Sequence, residues 1–442
     1  MPPLPSTLSE APTGMMSDFN KSVTLLVDEV IGHILSFFDH WRFIIGVSPQ
    51  IRVSVDVGCY QHSVAIGLST GQIVDEFEIQ HSQEGFKQFF AHIEQLVDAH
   101  GYHVAVAMEG YNGWARPLDQ LVLAKGYQLY NINNLKLARF KEIFPSSAKT
   151  DAIDARKGFE LFTLSDHLSM AKNCLQRVKA SPKVHDQLKR YTRRRRRLVK
   201  ERVSLKAHLH SDLQSVCPEL LEITHGIGQV WYLNFLSSAP SLPQLARKRK
   251  SSLEAIPGVG RKYREVIQRW QQQAVFADDV EWVGEMILSD VARMQELRAE
   301  INALDKKIAE LLAESENAQN LLSIPGFGVT CVGEIVGEIG SISRFTTEGS
   351  LAMYLGMAPL NNESGNYRGS KTPKQINKRA KMAMMTAVDR HRHKVDQSGR
   401  FYQKKKQEGQ RHNQAVRALG RHLCRVIFKL LTEQRDYELR SK

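Results

Sequence analysis

The chain has 442 residues, and its 60 Lys or Arg against 47 Asp or Glu give a formal net charge of +13. A hydrophobic fraction of 42% with 24% charged residues excludes a disordered chain and indicates two or three domains with cores of their own. The positive excess favours an acidic partner, with nucleic acid first. Residues 361–442 alone hold 21 Lys or Arg against 7 Asp or Glu, so this segment carries the excess.

The five cysteines are scattered and form no CxxC pair, which favours reduced thiols over a disulfide framework or a zinc site. The beginning of the chain lacks the basic and apolar regions of a signal peptide. The apolar stretch Ile31–Val47 is interrupted by Asp39, His40 and Arg42, so it does not read as a membrane span. We therefore expect a cytoplasmic protein without a membrane partner.

The N-terminal third reads as a tail followed by an α/β domain. Residues 1–50 form the tail, with a possible helix over Val23–Phe43, and residues 51–165 form the domain. Short runs of β-branched residues predict strands, and apolar residues at helical spacing predict helices between them. In chain order we expect strands at Arg52–Gly58, His62–Leu68 and Glu76–Gln80, a helix at Phe86–His100, a strand at His103–Met108, a helix at Leu118–Lys125 and a strand at Gln128–Ile132.

Two long helices dominate the predicted middle region, residues 166–320. The first runs from Ser181 to about Leu213, and the second from Asp290 to Glu316 with an apolar heptad seam. The seam can join these helices to each other or to a second subunit, so a coiled coil is expected. A Gly- and Pro-punctuated segment, Cys217–Arg264, separates them. Residues 321–442 then form a basic, mainly helical domain.

Four carboxylates stand where α/β enzymes place their sites. Asp56 and Glu109 end two predicted strands, and Asp151 and Asp154 share one helical face at i, i+3 spacing. For any one of these acids, a surface position or a helix cap is the commoner explanation, by roughly two to one. Four acids together repel each other unless cations neutralise them, and hard oxygen ligands suit Mg²⁺ or Mn²⁺. The sequence thus predicts a metal-dependent site for phosphodiester transfer.

Two glycine turns and a serine stand in the second half. The turn at Ile324–Gly328 (IPGFG) repeats one at Ile256–Gly260, and Gly326 and Gly328 can let backbone amides approach a DNA phosphate, as in a helix-hairpin-helix turn. A plain helix connection is equally good for either turn. Ser364 precedes Gly365 in a predicted flexible loop. Such a pair is usually only a turn, but a serine facing cations can attack phosphorus.

Basic residues offer candidate contacts to nucleic acid. A run of five arginines lies in the first long helix, although a charge run is often only a solvated face. Further cations follow the serine. The candidates are Arg193, Arg194, Arg195, Arg196, Arg197, Arg368, Lys371, Lys374, Lys378, Arg379 and Lys381.

The order of these motifs resembles the insertion-sequence-110 transposases, which include Piv-type DNA invertases and bridge-RNA-guided recombinases. The resemblance covers about residues 51–432 and rests on the four acids, the Pro325–Gly328 turn, the Leu351–Pro359 block and the Ser-Gly pair. It implies a RuvC-like (RNase H-like) N-terminal domain that binds divalent metal. It also implies a transposase domain with Ser364 as the nucleophile, a phosphoserine link to DNA, tetramers and a non-coding guide RNA.

Two other functions remain open. A RuvC-like nuclease or junction resolvase would use the acids and need no serine. A non-catalytic DNA-binding protein would bind with a steep dependence on salt and cleave nothing.

Overall fold

The computed structural model describes residues 49–110, 113–143, 150–168, 174–371, 373 and 376–439. They form two compact units, the first ending at Val178 and the second beginning at Lys179. The helix expected over Val23–Phe43 lies outside the described residues. No helix in the described ranges is long and apolar enough to cross a bilayer.

The first unit contains a mixed six-stranded sheet with the strand order β3-β2-β1-β4-β5-β6. Strands β1, β2 and β3 form an antiparallel meander, β4 and β5 run parallel to β1, and β6 is antiparallel to β5. Parallel pairing of β1 with β4 requires a crossover, which a helix provides. The strands are β1 (Gln50–Val57), β2 (Gln61–Leu68), β3 (Ile73–Gln80), β4 (His103–Glu109), β5 (Gln128–Ile132) and β6 (Leu175–Arg177).

Four helices accompany this sheet: α1 (Gln83–His100), α2 (Arg116–Ala124), α3 (Asn134–Lys141) and α4 (Asp151–His167). Alternate residues of β1 enter different environments because strand side chains alternate between faces. Ile51, Val53 and Val55 join a core that includes Phe89 and Ile93 of α1. The opposite face of β1 carries polar residues and packs against α4.

The second unit is almost entirely helical, as expected, and is built around two long helices. Helices α5 (Lys183–Val216) and α11 (Val280–Ala313) pack against each other within the chain. The heptad seam of α11 is therefore packed against α5 of the same chain, which is the first of the two pairings that the sequence left open. Its buried residues are Met294, Leu297, Ile301, Ile308 and Leu311. The segment between them folds into α6 (Glu219–Glu222), α7 (Val230–Leu236), α8 (Leu242–Ala246), α9 (Lys250–Glu254) and α10 (Arg261–Gln273).

The C-terminal part of this unit shares a core with the beginning of α5, since Leu188 packs among residues of the last helices. Helix α13 is its centre, and every residue from Cys331 to Ile339 is buried. The elements are α12 (Glu316–Leu322), α13 (Val329–Ile339), a 3-10 turn (Ile342–Arg344), α14 (Glu348–Tyr354), β7 (Leu360–Ser364), β8 (Tyr367–Lys371), α15 (Lys378–His391), α16 (Asp396–Gln407) and α17 (His412–Glu433).

Candidate active site and nucleic-acid contacts

The sheet places Asp56 and Glu109 side by side. In the parallel pair of β1 and β4, Val55 is level with Met108, and each acid is the next residue of its strand. Neighbouring strands lie about 4.8 Å apart. Both carboxylates therefore stand at the same edge of the sheet, as their positions at strand ends predicted.

Helix α4 brings the other two acids to this edge. Thr150 caps the helix by accepting a hydrogen bond from the Ile153 amide, which fixes its start at Asp151. Asp151 and Asp154 then both lie in the first turn, on the face that their spacing predicted. An acid in the first turn is also favoured by the positive end of the helix dipole.

Contacts at four-residue spacing hold α4 along β1. The buried Arg52 pairs with Asp166 and lies 5.0 Å from the centre of the Phe162 ring. Two residues after Arg52 in β1, Ser54 faces Gly158 of α4. A Cβ atom at Gly158 would lie 2.3 Å from the serine hydroxyl oxygen. Glycine is thus required for this close approach. Four residues further back in α4 and two further along β1, the same spacing brings Asp154 close to Asp56.

Lys141, at the end of α3, completes the cluster. Its ammonium nitrogen lies 3.0 Å from Asp154 Oδ1 and 3.8 Å from Glu109 Oε2. The lysine therefore joins a strand acid to a helix acid. Sequence reasoning missed it, although the run Asn134–Lys141 ends in cations just before the acidic motif.

The electrostatics of Asp56 show how closely the four acids are grouped. Burial first, then the charge of Glu109, raise the pKa of Asp56 to about 6, and Asp154 and Asp151 add to the increase while Lys141 opposes it. A carboxylate surrounded by like charges is costly to ionise, and a cation relieves that cost. In this structure Lys141 supplies the relief. Among the described residues, no three His, Cys, Asp or Glu side chains are arranged to hold a metal ion.

Ser364 lies at the end of a β-hairpin, and the expectation of a flexible loop is wrong. It is the last residue of β7 and pairs with Tyr367 of β8 across the two-residue turn Gly365–Asn366. Gly365 has φ of +54°, a conformation that glycine supplies at the first position of such turns. Ser364 is exposed there, and it belongs to the second unit, whereas the acids belong to the first.

The arginine run makes ion pairs within the second unit. Arg193 pairs through two hydrogen bonds with Glu338, Arg194 with Glu300, Arg195 with Asp305, and Arg196 with Glu334. Arg197 is exposed, and no ion pair to it occurs within the described ranges. Its guanidinium is therefore the one in this run that faces solvent without a carboxylate partner.

Glu338 is the centre of a buried polar network that sequence reasoning also missed. It is 1% exposed and accepts hydrogen bonds from Arg193 and from the Asn377 amide at 2.7 Å. Asn377 also bonds the Tyr354 hydroxyl and caps α15. Burial alone would raise the pKa of Glu338, but Arg193 and Asn377 hold it below its usual range. The signal was available, since Glu334 and Glu338 are the two acids in an otherwise apolar helix.

The glycine turn at 324–328 has a packing role. Gly326 has φ of +90°, and a Cβ atom there would lie 2.6 Å from the His391 backbone nitrogen. His391 Nδ1 in turn bonds the Pro325 carbonyl oxygen at 2.7 Å. Gly328 caps α13. The contact with α15 is enough to require Gly326, whether or not the turn also meets DNA.

The remaining cationic candidates belong to the hairpin and to the segment that follows it in the sequence. Lys371 ends β8 and is exposed, as are Lys378 and Arg379 in the first turn of α15, while Lys381 is half-buried. The backbone of Arg368 pairs with Glu363 in the hairpin. Lys374 lies outside the described residues.

Comparison with known proteins gives this arrangement its context. A model of DEDD transposases of IS110 elements matches residues 53–218, a range that contains all four acids. A second model, described as transposase of the IS116/IS110/IS902 family, matches residues 318–403, which contain Ser364. The chain belongs to the IS110 family of transposases. These are enzymes that cut and join DNA, and the DEDD label indicates a divalent metal cofactor in general.

Relatives in this family extend over most of the chain. The 42 kDa protein of insertion element IS900 from Mycobacterium paratuberculosis is 25% identical, covering 88% of this chain and 98% of its own length. The 43.6 kDa protein of IS110 from Streptomyces coelicolor is 24% identical over 88% of this chain and 96% of its own. The 44.8 kDa protein of IS116 from Streptomyces clavuligerus is 23% identical over 71% and 79%.

Proposed function

We propose that this transposase is a site-specific recombinase with two chemical centres. Asp56, Glu109, Asp151 and Asp154 hold Mg²⁺ or Mn²⁺ in a RuvC-like unit, and Ser364 of the transposase domain is the nucleophile. The observation that carries the proposal is the meeting of four acids at one sheet edge, where Lys141 bridges Glu109 and Asp154.

The sheet supports the RuvC-like part of the proposal. Its first three strands form an antiparallel meander, β4 and β5 extend it in parallel, and acids end β1 and β4. In such a sheet, side chains at the carboxyl ends of parallel strands converge at one edge. The following helix, α4, then supplies the last two acids.

The donor set fits a hard divalent cation. All four groups are carboxylates, the ligands that Mg²⁺ and Mn²⁺ prefer, and their mutual repulsion already draws in the ammonium of Lys141. When bound, a divalent ion supplies charge neutralisation at a phosphodiester and lowers the pKa of an attached oxygen. Asp56 and Glu109 are fixed by the sheet, and Asp151 and Asp154 by the helix cap. Strand ends and a capped helix support the proposal, because they place the backbones of all four donors at one edge of the sheet.

The exposure of Ser364 beside the hairpin turn supports its proposed attack on a phosphate. Its Oγ gives up its proton and forms a bond to phosphorus, the bond from phosphorus to a deoxyribose oxygen breaks, and that oxygen takes a proton. Rejoining reverses these steps with a different strand end, so the phosphodiester is conserved. Arg368 and Lys371 of the same hairpin and Lys374 after it are the candidates that neutralise the developing charge.

Charge points to DNA as the partner, and the basic C-terminal fifth, including Lys378, Arg379 and Lys381, contacts donor and target DNA. The guidance of their pairing by an element-encoded RNA is what the resemblance to the family implies. Exchange of two duplexes needs four strand cleavages, so the active form is a dimer or tetramer.

A metal-dependent nuclease or junction resolvase is the second candidate. It is favoured by one observation, that the four acids and Lys141 come together within the first unit alone. Such an enzyme would cut DNA without a covalent intermediate.

The deciding experiment traps protein joined to DNA. Wild-type protein incubated with a labelled plasmid that contains the element's ends should yield an adduct on a denaturing gel, and Ser364→Ala should yield none while binding DNA normally. Ser370→Ala, in the other strand of the hairpin, is the matched control and should retain the adduct. Loss of the adduct in Ser370→Ala alone would show that the wrong serine was chosen. Cleavage by Ser364→Ala at the wild-type rate would favour the nuclease.

A further inference from the structure

A cavity of about 470 Å³ lies in the C-terminal part of the second unit, and Lys371 is the one residue assigned above that lines it among the described residues. Its walls are the segment 356–359, the end of β8, and the facing sides of α16 and α17. Pockets of this size hold single small molecules and are too small for a duplex. The occupant must therefore be one small group.

The lining is strongly cationic. Lys371, Lys405, Arg417 and Arg421 border the cavity, and no acid is among the described residues that do. Two of these cations have partners outside the lining: Lys405 pairs with Glu408 at 2.6 Å, and Arg421 donates to the backbone carbonyl oxygen of Glu348. Clustered cations without acids indicate an anionic ligand, and paired arginines and lysines suit phosphate.

An aromatic pair forms another part of the wall. The ring of Phe401 meets that of His422 edge to face, with centroids 4.9 Å apart, and Lys405 lies 5.7 Å from the Phe401 centroid. Burial, then the charges of Arg425, Arg421 and Lys405, lower the pKa of His422. These effects favour the neutral form of the imidazole, whose ring forms part of the wall. The amides of Gln410 and Gln414 also line the cavity and offer donors and acceptors.

The cavity shares a structural element with Ser364. Lys371 pairs with Leu360 at the base of the hairpin, and Ser364 pairs with Tyr367 at its tip. At 3.3 Å per residue, the four steps from Leu360 to Ser364 span about 13 Å. A DNA strand whose backbone contacts the cavity can therefore also reach Ser364.

We propose that this cavity binds one unstacked nucleotide of the DNA strand that Ser364 cuts, with its phosphate against Lys405, Arg417 and Arg421 and its base against Phe401 and His422. Cations and aromatic faces together are the chemistry that holds single-stranded nucleic acid, and enclosure of one base requires it to leave the duplex stack. That the bound nucleotide belongs to the strand cut by Ser364 rests on the proposed function. Binding of a nucleotide in the cavity does not require cleavage.

Binding without metal tests it. The full chain in EDTA is titrated into fluorescein-labelled dT20 and, separately, into a 20-base-pair duplex. Phe401→Leu keeps apolar volume but loses the flat ring, so it should weaken dT20 binding by about 5- to 100-fold and leave duplex binding unchanged. Lys405→Gln should weaken it too and lower the slope of log affinity against log salt by about 0.7.

The chain offers matched controls. Lys404 and Lys406 flank Lys405 in α16 and are exposed outside the cavity, so Lys404→Gln and Lys406→Gln should change dT20 affinity much less. Equal effects of all three lysines would overturn the proposal in favour of diffuse charge attraction. Arg417→Gln serves if Phe401→Leu fails to fold, and wild-type dT20 affinity in Arg417→Gln would also overturn it.

Two modified DNAs distinguish base from phosphate and separate this proposal from the serine chemistry. A single 2-aminopurine, moved along a duplex with a short unpaired gap, should change emission at one position in wild type and Ser364→Ala but not in Phe401→Leu. An abasic residue at that position should weaken binding. If only a methylphosphonate there weakens binding, the cavity holds phosphate alone and the base part of the proposal fails. A failed Ser364 adduct with a positive emission signal would refute the proposed function and leave the cavity assignment intact.

Discussion

Lys141 Nζ lies 3.0 Å from Asp154 Oδ1, so an internal cation occupies the acidic edge of the sheet. A divalent ion held by the proposed ligands would neutralise the same carboxylates that Lys141 neutralises here. Unlike the ammonium, it would also have open coordination positions.

Lys141→Met should therefore strengthen metal binding, because the acids lose their internal competitor. We expect affinity for Mn²⁺ to increase about tenfold, equivalent to about 1.4 kcal/mol. Electron paramagnetic resonance of free Mn²⁺ measures it directly. Arg139→Met, an exposed cation of the same helix, should leave the affinity unchanged. Weaker binding in Lys141→Met would mean that the lysine orders the ligands instead of competing.

Asp56→Asn should stabilise the metal-free protein while abolishing recombination. The raised pKa of Asp56 shows that its ionised form is disfavoured by burial and by Glu109. Removing that charge should raise the free energy of unfolding by about 1 to 2 kcal/mol in EDTA at pH 8. Urea denaturation measures the change, with Asp98→Asn, an exposed acid in α1, as the control. A destabilised Asp56→Asn would argue that the carboxylate is structural.

Glu338→Gln should destabilise the second unit, because Arg193 and Asn377 lose a buried carboxylate partner. The loss should be about 2 to 4 kcal/mol at pH 7. The pKa of Glu338 is lower in the folded than in the unfolded chain, so its contribution is complete above about pH 4.5 and disappears as pH falls through the folded value. The difference between wild type and variant should accordingly shrink at pH 3.5. Asp305→Asn, at the more exposed ion pair with Arg195, should cost under 1 kcal/mol.

Gly326→Ala should destabilise the protein by more than the strain of placing alanine at a positive φ, because the added methyl group also clashes with a neighbouring helix. The new methyl group would meet the His391 backbone at 2.6 Å, whereas at Gly101, φ +65°, nothing lies within 4 Å. We expect a loss of more than 2 kcal/mol at Gly326 and about 1 kcal/mol at Gly101. Thermal unfolding compares the two variants. If Gly326→Ala is stable but loses DNA affinity, the turn contacts phosphate as its sequence first predicted.

Arg197→Gln tests whether the arginine run binds nucleic acid. Because Arg197 has no ion pair among the described residues, its loss should reduce DNA or RNA affinity and flatten the salt dependence without changing stability. Arg196→Gln should lower the stability of the fold and leave nucleic-acid affinity unchanged, since its partner Glu334 is buried. If Arg197→Gln binds normally, the run serves only the helix packing.

The sequence by itself determined the strands, the long helices and the positions of two acids at strand ends. Runs of β-branched residues predicted strands, so Asp56 and Glu109 were expected at the rim of a sheet. The Asp151–Asp154 spacing likewise required one helical face. These conclusions hold because strand and helix periodicity fix side-chain direction before any long-range contact forms. The parallel pairing of β1 with β4, which brings both acids to the same edge, came from the tertiary structure.

Only the tertiary structure decided which side chains pair with the charged residues. Arg193 and Glu338 are 145 residues apart, and nothing in either local pattern indicates that one is the other's partner. Lys141 joins the acids because α3 ends against the sheet edge, and the cavity beside Phe401 exists because α16 and α17 pack together. Pairing of distant side chains depends on how whole elements pack, so the carboxylate partners of Arg193 to Arg196 could not be read from the sequence around them.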